Sequence, residues 1–347
     1  MARRYLFLCT EGEGASGGKA VIYDAVAELI DLGYDAQVLV GSGGGYPAGN
    51  PKAEEAYSRR LSEAFINHLP SIARLRGQLG VKRRELAQSL KSIEVSDEDV
   101  LVVPEILIST ALIAFPNNPK VLLAQGPFLH RESHFEAVKR GLNPAGSFFF
   151  AIGIADISDE TFALLGLDRT ARVPVSMHPD RFEFGHKKER LITYMPRRRP
   201  AEAELIASAL RRRGNIADYR VEAIDGMPMA QVAGSLTKSL VFISLLQTEG
   251  LGFPAAEAMA SGALVVGYTG TGAEEYFDTS TGFPIPEGRT LQLVETVEAI
   301  IRDYEADPAP LDRIRAHASE TVRSRYAYPV FQQALKAAWS EIDAALT

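Results

Sequence analysis

Cysteine is all but missing from this chain of 347 residues. The single one, Cys9, excludes an intramolecular disulfide and a cysteine-rich zinc site. It closes the apolar run Tyr5-Leu6-Phe7-Leu8-Cys9, where a thiol behaves as a small core residue. Long apolar runs are missing too. Met1-Ala2-Arg3-Arg4 leads into a stretch too short for a signal-peptide core or a membrane span, so the expectation is a cytoplasmic protein. Positive charge is not in excess. A net charge of -7 denies the chain the basic footprint of non-specific nucleic-acid binding, and no nucleic-acid partner is expected. His68, His134, His178, His186 and His317 lack metal-ligand spacing. There is no internal repeat and no low-complexity tract.

What is present is ordinary globular composition, 46% hydrophobic and 23% charged, which excludes a disordered chain. The length suits two cores better than one. Short apolar runs alternate with helical stretches, the signature of α/β units with parallel sheets. In the first half, Tyr5 to Cys9 and Ala36 to Val40 read as strands around a helix from Gly17 to Leu32. A charged helical region spans roughly 51–92. Strands follow at Val100 to Val103, Val121 to Ala124, Phe148 to Ile152 and Arg172 to Val175. The second half restarts the pattern. Leu191 to Tyr194, Tyr219 to Ala223, Ser239 to Ser244 and Ala263 to Gly267 read as strands. Ala201 to Arg213 and Pro254 to Ser261 read as helices, and the chain is mainly helical from Thr290. Helix breakers at Val173-Pro174 and His178-Pro179 set a boundary. The expected domains are 1–172 and 173–327, both Rossmann-like, with ligands outside the carboxyl ends of the strands and a site in the cleft between them.

The segment Thr248-Glu249-Gly250-Leu251-Gly252-Phe253-Pro254-Ala255-Ala256-Glu257-Ala258-Met259-Ala260-Ser261-Gly262 follows an apolar strand. Gly250 and Gly252 let backbone N–H groups approach a ligand. The helix starting near Pro254 offers its positive end to a phosphate or polyhydroxyl group. The Glu257 side chain leans back toward that helix start, so two carboxylates converge on one concavity. Carboxylates accept hydrogen bonds from sugar and ribose hydroxyls. The competing reading is an acidic pair that only stabilises the helix.

This segment resembles the glutamate-x7-glutamate signature of the retaining GT-B glycosyltransferases, family 4. The likeness continues through Gly270-Thr271-Gly272-Ala273-Glu274-Glu275 and Thr281-Gly282-Phe283-Pro284. Leu251 and Phe253 around Gly252 depart slightly from the family pattern. The resemblance implies an α/β GT-B fold and a retaining, metal-independent transfer of a sugar from a nucleotide-diphosphate-sugar, with no cofactor. Glu257 would bind the donor ribose and Glu249 the transferred sugar. The amides of Gly250, Leu251, Gly252 and Phe253 would hold sugar hydroxyls and the diphosphate. A basic pair after the first strand of the second domain would grip that diphosphate, here Arg197 first and Arg199 next, since guanidinium forks suit phosphate. The alternative for Arg197-Arg198-Arg199 is a solvated charge run. Gly17-Gly18 would pack against the diphosphate, or serve plain turn geometry. An active-site histidine would be His130, with Gln125 the alternative occupant and a surface or capping histidine the other reading. The last helix, 328–347, would cross back onto the first domain, with Trp339 as its packing anchor.

Rival motifs fall short. Gly12, Gly14 and Gly17 satisfy a lone G-x-G-x-x-G, but strand two ends Val40-Gly41-Ser42, without the acidic residue a dinucleotide site wants. Glu13 and Ala20 break the P-loop pattern of the same stretch. Asp97-Glu98-Asp99 precedes a strand and reads as a solvated turn, so no metal is expected. Residues 54–92 carry Arg59, Arg60, Arg74, Arg76, Lys82, Arg83 and Arg84 among apolar positions. Ordinary amphipathic helices account for this, and peripheral contact with a membrane bearing a lipid-linked acceptor is the competing reading. The expected acceptor is a glycan, lipid-linked or small molecule, within surface polysaccharide biosynthesis. A nucleotide-sugar epimerase of the same architecture and a non-catalytic nucleotide-sugar-binding protein are the alternatives.

Overall fold

The computed structural model describes residues 3–9, 17–41, 50–68, 90–177, 181–216 and 218–346. They form two units, Met1–Val175 with Gln332–Thr347, and Ser176–Phe331.

The first unit is built on eight parallel strands. These are β1 (Arg4–Leu8), β2 (Asp35–Val40), β3 (Glu55–Tyr57), β4 (Lys91–Ser92), β5 (Val100–Pro104), β6 (Lys120–Ala124), β7 (Phe150–Gly153) and β8 (Thr170–Arg172). They lie in the order β4-β3-β2-β1-β5-β6-β7-β8. Tyr5 of β1 pairs with Ala36 on one side and Val100 on the other. Every residue of β5, β6 and β7 is buried, as a parallel strand covered on both faces requires. Helices Gly17–Asp31, Ile108–Ala114, Pro127–Lys139 and Ile157–Leu165 link the strands. From Gln332 on, the last helix Tyr328–Ala345 belongs to this unit. It lays Trp339 flat on Phe7, with ring centroids 5.6 Å apart, and against the edge of Tyr5.

The second unit has five parallel strands, β9 (Glu189–Tyr194), β10 (Arg220–Ala223), β11 (Ser239–Leu245), β12 (Leu264–Tyr268) and β13 (Phe283–Pro284), in the order β10-β9-β11-β12-β13. Their core gathers Ile192, Val241, Ile243, Leu264 and Val266 with Leu210, Leu293, Val297 and Ile301 of the helices Pro200–Arg213 and Thr290–Ala306. The helix Phe253–Ala260 is anchored at its far end by two cations, the half-buried Lys188 and the buried Arg315. Lys188 Nζ donates to the carbonyls of Thr237 (2.8 Å) and Ser261 (2.7 Å), and Arg315 to that of Gly262 (3.1 Å). Cations at a helix C-terminus complement its dipole. Burial and the nearby Arg315 push the Lys188 ammonium down to about 7.

Several expectations shift. The helical region read over 51–92 contains β3 and β4, and helix Arg59–His68 occupies part of the rest. Ala and Glu favour helix locally, yet Glu55-Ala56-Tyr57 pairs along β2, because sheet context outweighs propensity. The strand expected at Arg172 to Val175 lies earlier, at Thr170–Arg172, since Pro174 has no N–H for a ladder. Asp99 is not a solvated turn residue. It is buried, accepting from Arg4 Nη2 (2.6 Å) and Ser96 N (2.8 Å). The glycine-rich loops at 10–16 and 42–49, and Arg74 to Arg84, lie outside the described residues. Of the other arginines in that region, Arg59 pairs with Glu63 and Arg60 lies over the Phe115 ring.

Candidate functional site

In the second unit the sheet grows from β9 toward β10 and then, on the other side, from β9 through β11 to β13. Adjacent loops therefore diverge at the carboxyl ends of β9 and β11, which opens the crevice where α/β sheets bind ligands. The loop after β9 carries Arg197, Arg198 and Arg199. The loop after β11 carries Glu249 and leads into helix Phe253–Ala260. The loop after β12 carries Thr271.

These three loops are fastened together. Arg198 Nε donates to Glu249 Oε1 at 3.1 Å, straight across the divergence. The Glu249 amide donates to the Gly270 carbonyl at 3.1 Å, and Glu249 forms a parallel bridge with Thr271. The approach is close enough to demand glycine. A Cβ on Gly272 would lie 2.3 Å from the carbonyl oxygens of Glu249 and Gly250, and one on Gly270 would lie 2.0 Å from that of Gln247. Thr271 is the only non-glycine residue with positive φ among the described residues (φ 67, ψ -54). The Gly272 amide reaches the Gly270 carbonyl at 2.8 Å, closing a γ-turn of the rare strained hand. Such a conformation in a β-branched residue costs about 1–3 kcal/mol.

The mouth of the helix is a row of donors. Gly252 caps it in the left-handed region (φ 79, ψ 51). Gly250, Leu251 and Gly252 are buried, and no described residue accepts from their amides or from that of Phe253. The carbonyls beside them are occupied, because the Tyr276 hydroxyl lies 3.1 Å from that of Leu251 and 2.7 Å from that of Gly252. Buried amides without acceptors are rare, and at a helix N-terminus they make a site for an anion or a hydroxylated ligand. Glu257 lies in the second turn of the same helix. Its carboxyl accepts no hydrogen bond from a described residue. Burial pushes it up to about 8, against a weaker pull from Arg181. Glu249 is partly open, its side chain 24% exposed, so a ligand can reach it.

The arginine run divides by role. Arg197 is exposed and makes no ion pair with a described residue. Arg199 is already committed. It grips Glu287 through two bonds (2.6 and 2.8 Å), contacts Glu202 and the Leu246 carbonyl, and lies 4.9 Å from the centroid of the Tyr268 ring. It thus braces the start of the Glu249 loop against the turn before helix Thr290–Ala306, and its guanidinium is not open to a diphosphate as the reading of Arg199 supposed. Arg198 is the member that meets Glu249. Three identical residues in a row conceal which one faces the site.

In the first unit, Gly17 and Gly18 open helix Gly17–Asp31. His130 is 1% exposed, packed against Phe162 and His134, with Nδ1 unpaired among the described residues. Burial, then His134 and Arg131, push it down to about 4, so it is neutral near pH 7. It is an interior histidine, not the surface or capping residue of the competing reading. Sequence reasoning missed Glu105, at the carboxyl end of β5. It is 3% exposed, accepts from the Gln125 amide at 3.0 Å, and is pushed up to about 7 by burial against those amide hydrogen bonds. A carboxylate directly after an all-apolar strand was the available signal. Among the described residues no cluster of His, Cys, Asp and Glu could hold a metal, and no helix is long and apolar enough to cross a membrane.

Residues 217–317, within the second unit, match the family model described as Glycosyl transferases group 1. An alpha-1,6-glucosyltransferase of Actinobacillus pleuropneumoniae serotype 7 (strain AP76) is 23% identical over 317 residues, 86% of this chain and 84% of that protein. A solved structure of Anabaena HepE in complex with UDP and glucose superposes with TM-score 0.68 at 14% identity, covering 97% of this chain and all of that one. Sucrose-phosphate synthase from Thermosynechococcus elongatus gives TM-score 0.68 at 14% identity over 99% of this chain. The fold is α/β with two Rossmann-like domains, as in GT-B glycosyltransferases.

Proposed function

We propose that this protein is a retaining GT-B glycosyltransferase of family 4 that transfers a sugar from a nucleotide-diphosphate-sugar to a glycan or glycoconjugate acceptor, in surface polysaccharide biosynthesis. The observation that carries the reading is the row of acceptor-free amides from Gly250 to Phe253, flanked by Glu249 and Glu257, at the switch point of the second unit's sheet. Bond breaking at the anomeric carbon sends charge onto the diphosphate. Fixed donors stabilise that charge without reorganising. The amides and the Arg197 and Arg198 guanidiniums take this part, and no metal enters the scheme. Glu257 accepts the ribose hydroxyls, and Glu249 contacts the transferred sugar. The named glucosyltransferase relative and the UDP and glucose held by HepE favour UDP-glucose as the first donor to try. Gly17, Gly18 and His130 are proposed as the first unit's contribution. His130 is buried and neutral near pH 7.

The test is a screen of UDP-, GDP-, ADP- and dTDP-glucose for transfer or hydrolysis, with EDTA present and absent. The expected result is turnover of one donor, unaffected by EDTA. In Glu249→Gln that turnover should fall roughly 100-fold or more, with the affinity for the nucleoside diphosphate within about twofold of wild type. Undiminished turnover in Glu249→Gln contradicts the assignment.

A further inference from the structure

We propose that Thr271 is a specificity-determining residue that hydrogen-bonds a hydroxyl of the transferred sugar. The proposal rests on the donor-site reading above and deepens it. Thr271 occupies a place that glycine would fill without strain. Its neighbours on both sides, Gly270 and Gly272, are glycines forced by the approach of the Glu249 loop. Between them stands a β-branched residue held at φ 67 in a γ-turn. Nothing inside the protein uses the side chain: the Thr271 hydroxyl has no hydrogen-bond partner among the described residues. The backbone does the structural work, through the Gly270 carbonyl that accepts from both Glu249 and Gly272 and the Thr271 carbonyl that accepts from Glu274.

Two further facts direct the hydroxyl outward to a ligand. The parallel bridge places Thr271 one strand spacing from Glu249, about 5 Å. Thr271 is also partly exposed, on the same carboxyl edge of the sheet as the open amides. A strained residue that the fold does not need, next to the residue that meets the sugar, marks a group held for the ligand. A site that offers a hydroxyl to a sugar hydroxyl discriminates strongly against the sugar that lacks or inverts it.

The test compares Thr271→Val, which keeps the shape, Thr271→Ser, which keeps the hydroxyl, and Thr271→Gly, which relieves the turn and so cannot fail through strain. Each is assayed with UDP-glucose, or the donor the screen selects, and with nucleotide sugars missing or inverting one hydroxyl. The proposal predicts that Thr271→Val and Thr271→Gly lose roughly 10- to 100-fold in kcat/KM for the preferred donor and lose most of their discrimination against one altered sugar. Thr271→Ser should keep both, and affinity for UDP itself should stay within about twofold in all three. Thr271→Gly should melt about 2–4 °C higher than wild type. Wild-type turnover and an unchanged ranking of sugars in Thr271→Val or Thr271→Gly would overturn the proposal while leaving the donor site standing. A wild-type protein that binds no nucleotide and cleaves no nucleotide sugar would instead remove the donor-site reading, and this proposal with it.

Discussion

Glu257 illustrates how much one side chain can carry. Its carboxyl sits at about 8 in the free protein, against about 4.3 for an unperturbed glutamate, because burial disfavours the charge. Near pH 7 it is therefore mostly protonated. Ribose hydroxyls that donate to it favour the charged form, so binding must expel a proton. Affinity for UDP should then rise about tenfold between pH 7 and pH 9 and level off above the free carboxyl's pKa. The same titration in Glu257→Gln removes the contribution of the phosphate's own ionisation, and a pH slope unchanged by that substitution would refute the ribose role. Calorimetry in buffers of differing ionisation enthalpy reads the released proton directly. Glu105 gives the matching stability test. Its folded pKa is raised to about 7, so the folded state binds more protons than the unfolded one between about 4.5 and 7. Stability should fall as pH rises through that window, by up to about 3 kcal/mol. In Glu105→Gln the urea midpoint should be flatter across it, and an equally steep fall would show that Glu105 does not cause the slope. The placement of Glu249 on a loop and of Glu257 on the helix after it was legible in the sequence, from the apolar strand before them and the helix start at Pro254. Arg198, Glu105 and Thr271 were not. No local pattern tells which of three arginines meets Glu249, how deep a carboxylate will lie, or that a threonine will be held at positive φ beside the loop of the neighbouring strand.

At the scale of elements, the site is a loop whose shape is fixed before any ligand arrives. Gly252 caps helix Phe253–Ala260 at φ 79, and a Cβ there would meet Leu246 Cδ1 at 2.5 Å. Gly252→Ala should destabilise the protein by about 1–3 kcal/mol in urea unfolding and weaken UDP binding at least tenfold, because the amide row would lose its alignment. Unaltered binding in that variant would show that the loop's shape is not what holds the ligand. Arg199 and Tyr276 explain why the loop stays put: one fastens its first carbonyl, the other the carbonyls of Leu251 and Gly252. Strands β9 to β12 and the helices Pro200–Arg213 and Phe253–Ala260 were readable from apolar runs, Pro254 and Gly262, whereas β13 and the helix Met229–Lys238 were not. In the first unit, β3 and the edge strand β4 were not readable either, because Glu55-Ala56-Tyr57 and Lys91-Ser92 carry no strand signal and are defined only by their partners.

At the scale of the whole molecule, two separate cores each support a parallel sheet with its own divergence, between β1 and β5 in one unit and between β9 and β11 in the other. The last helix ties the chain's end to the first core. Trp339 is fully buried on Phe7, and the Tyr5 hydroxyl donates to Asp343. Trp339→Ala should cost about 3–5 kcal/mol, read as lost hydrogen-exchange protection in β1, while β11 in the other unit keeps its own. The alternation of apolar runs and helices announced this architecture. The resemblance supplied Trp339 as an anchor on the first domain, but its partner Phe7 had to be seen, since contacts more than 300 residues apart leave no trace in local periodicity.

On the proposed function, the amides of Gly250 to Phe253 are donors kept open for a nucleotide sugar. Amide NMR shifts during a UDP titration test it most directly. Saturable shifts are expected at Gly250, Leu251, Gly252 and Phe253, and are expected to be lost in Gly252→Ala. UDP that binds while leaving these four amides unmoved would contradict it.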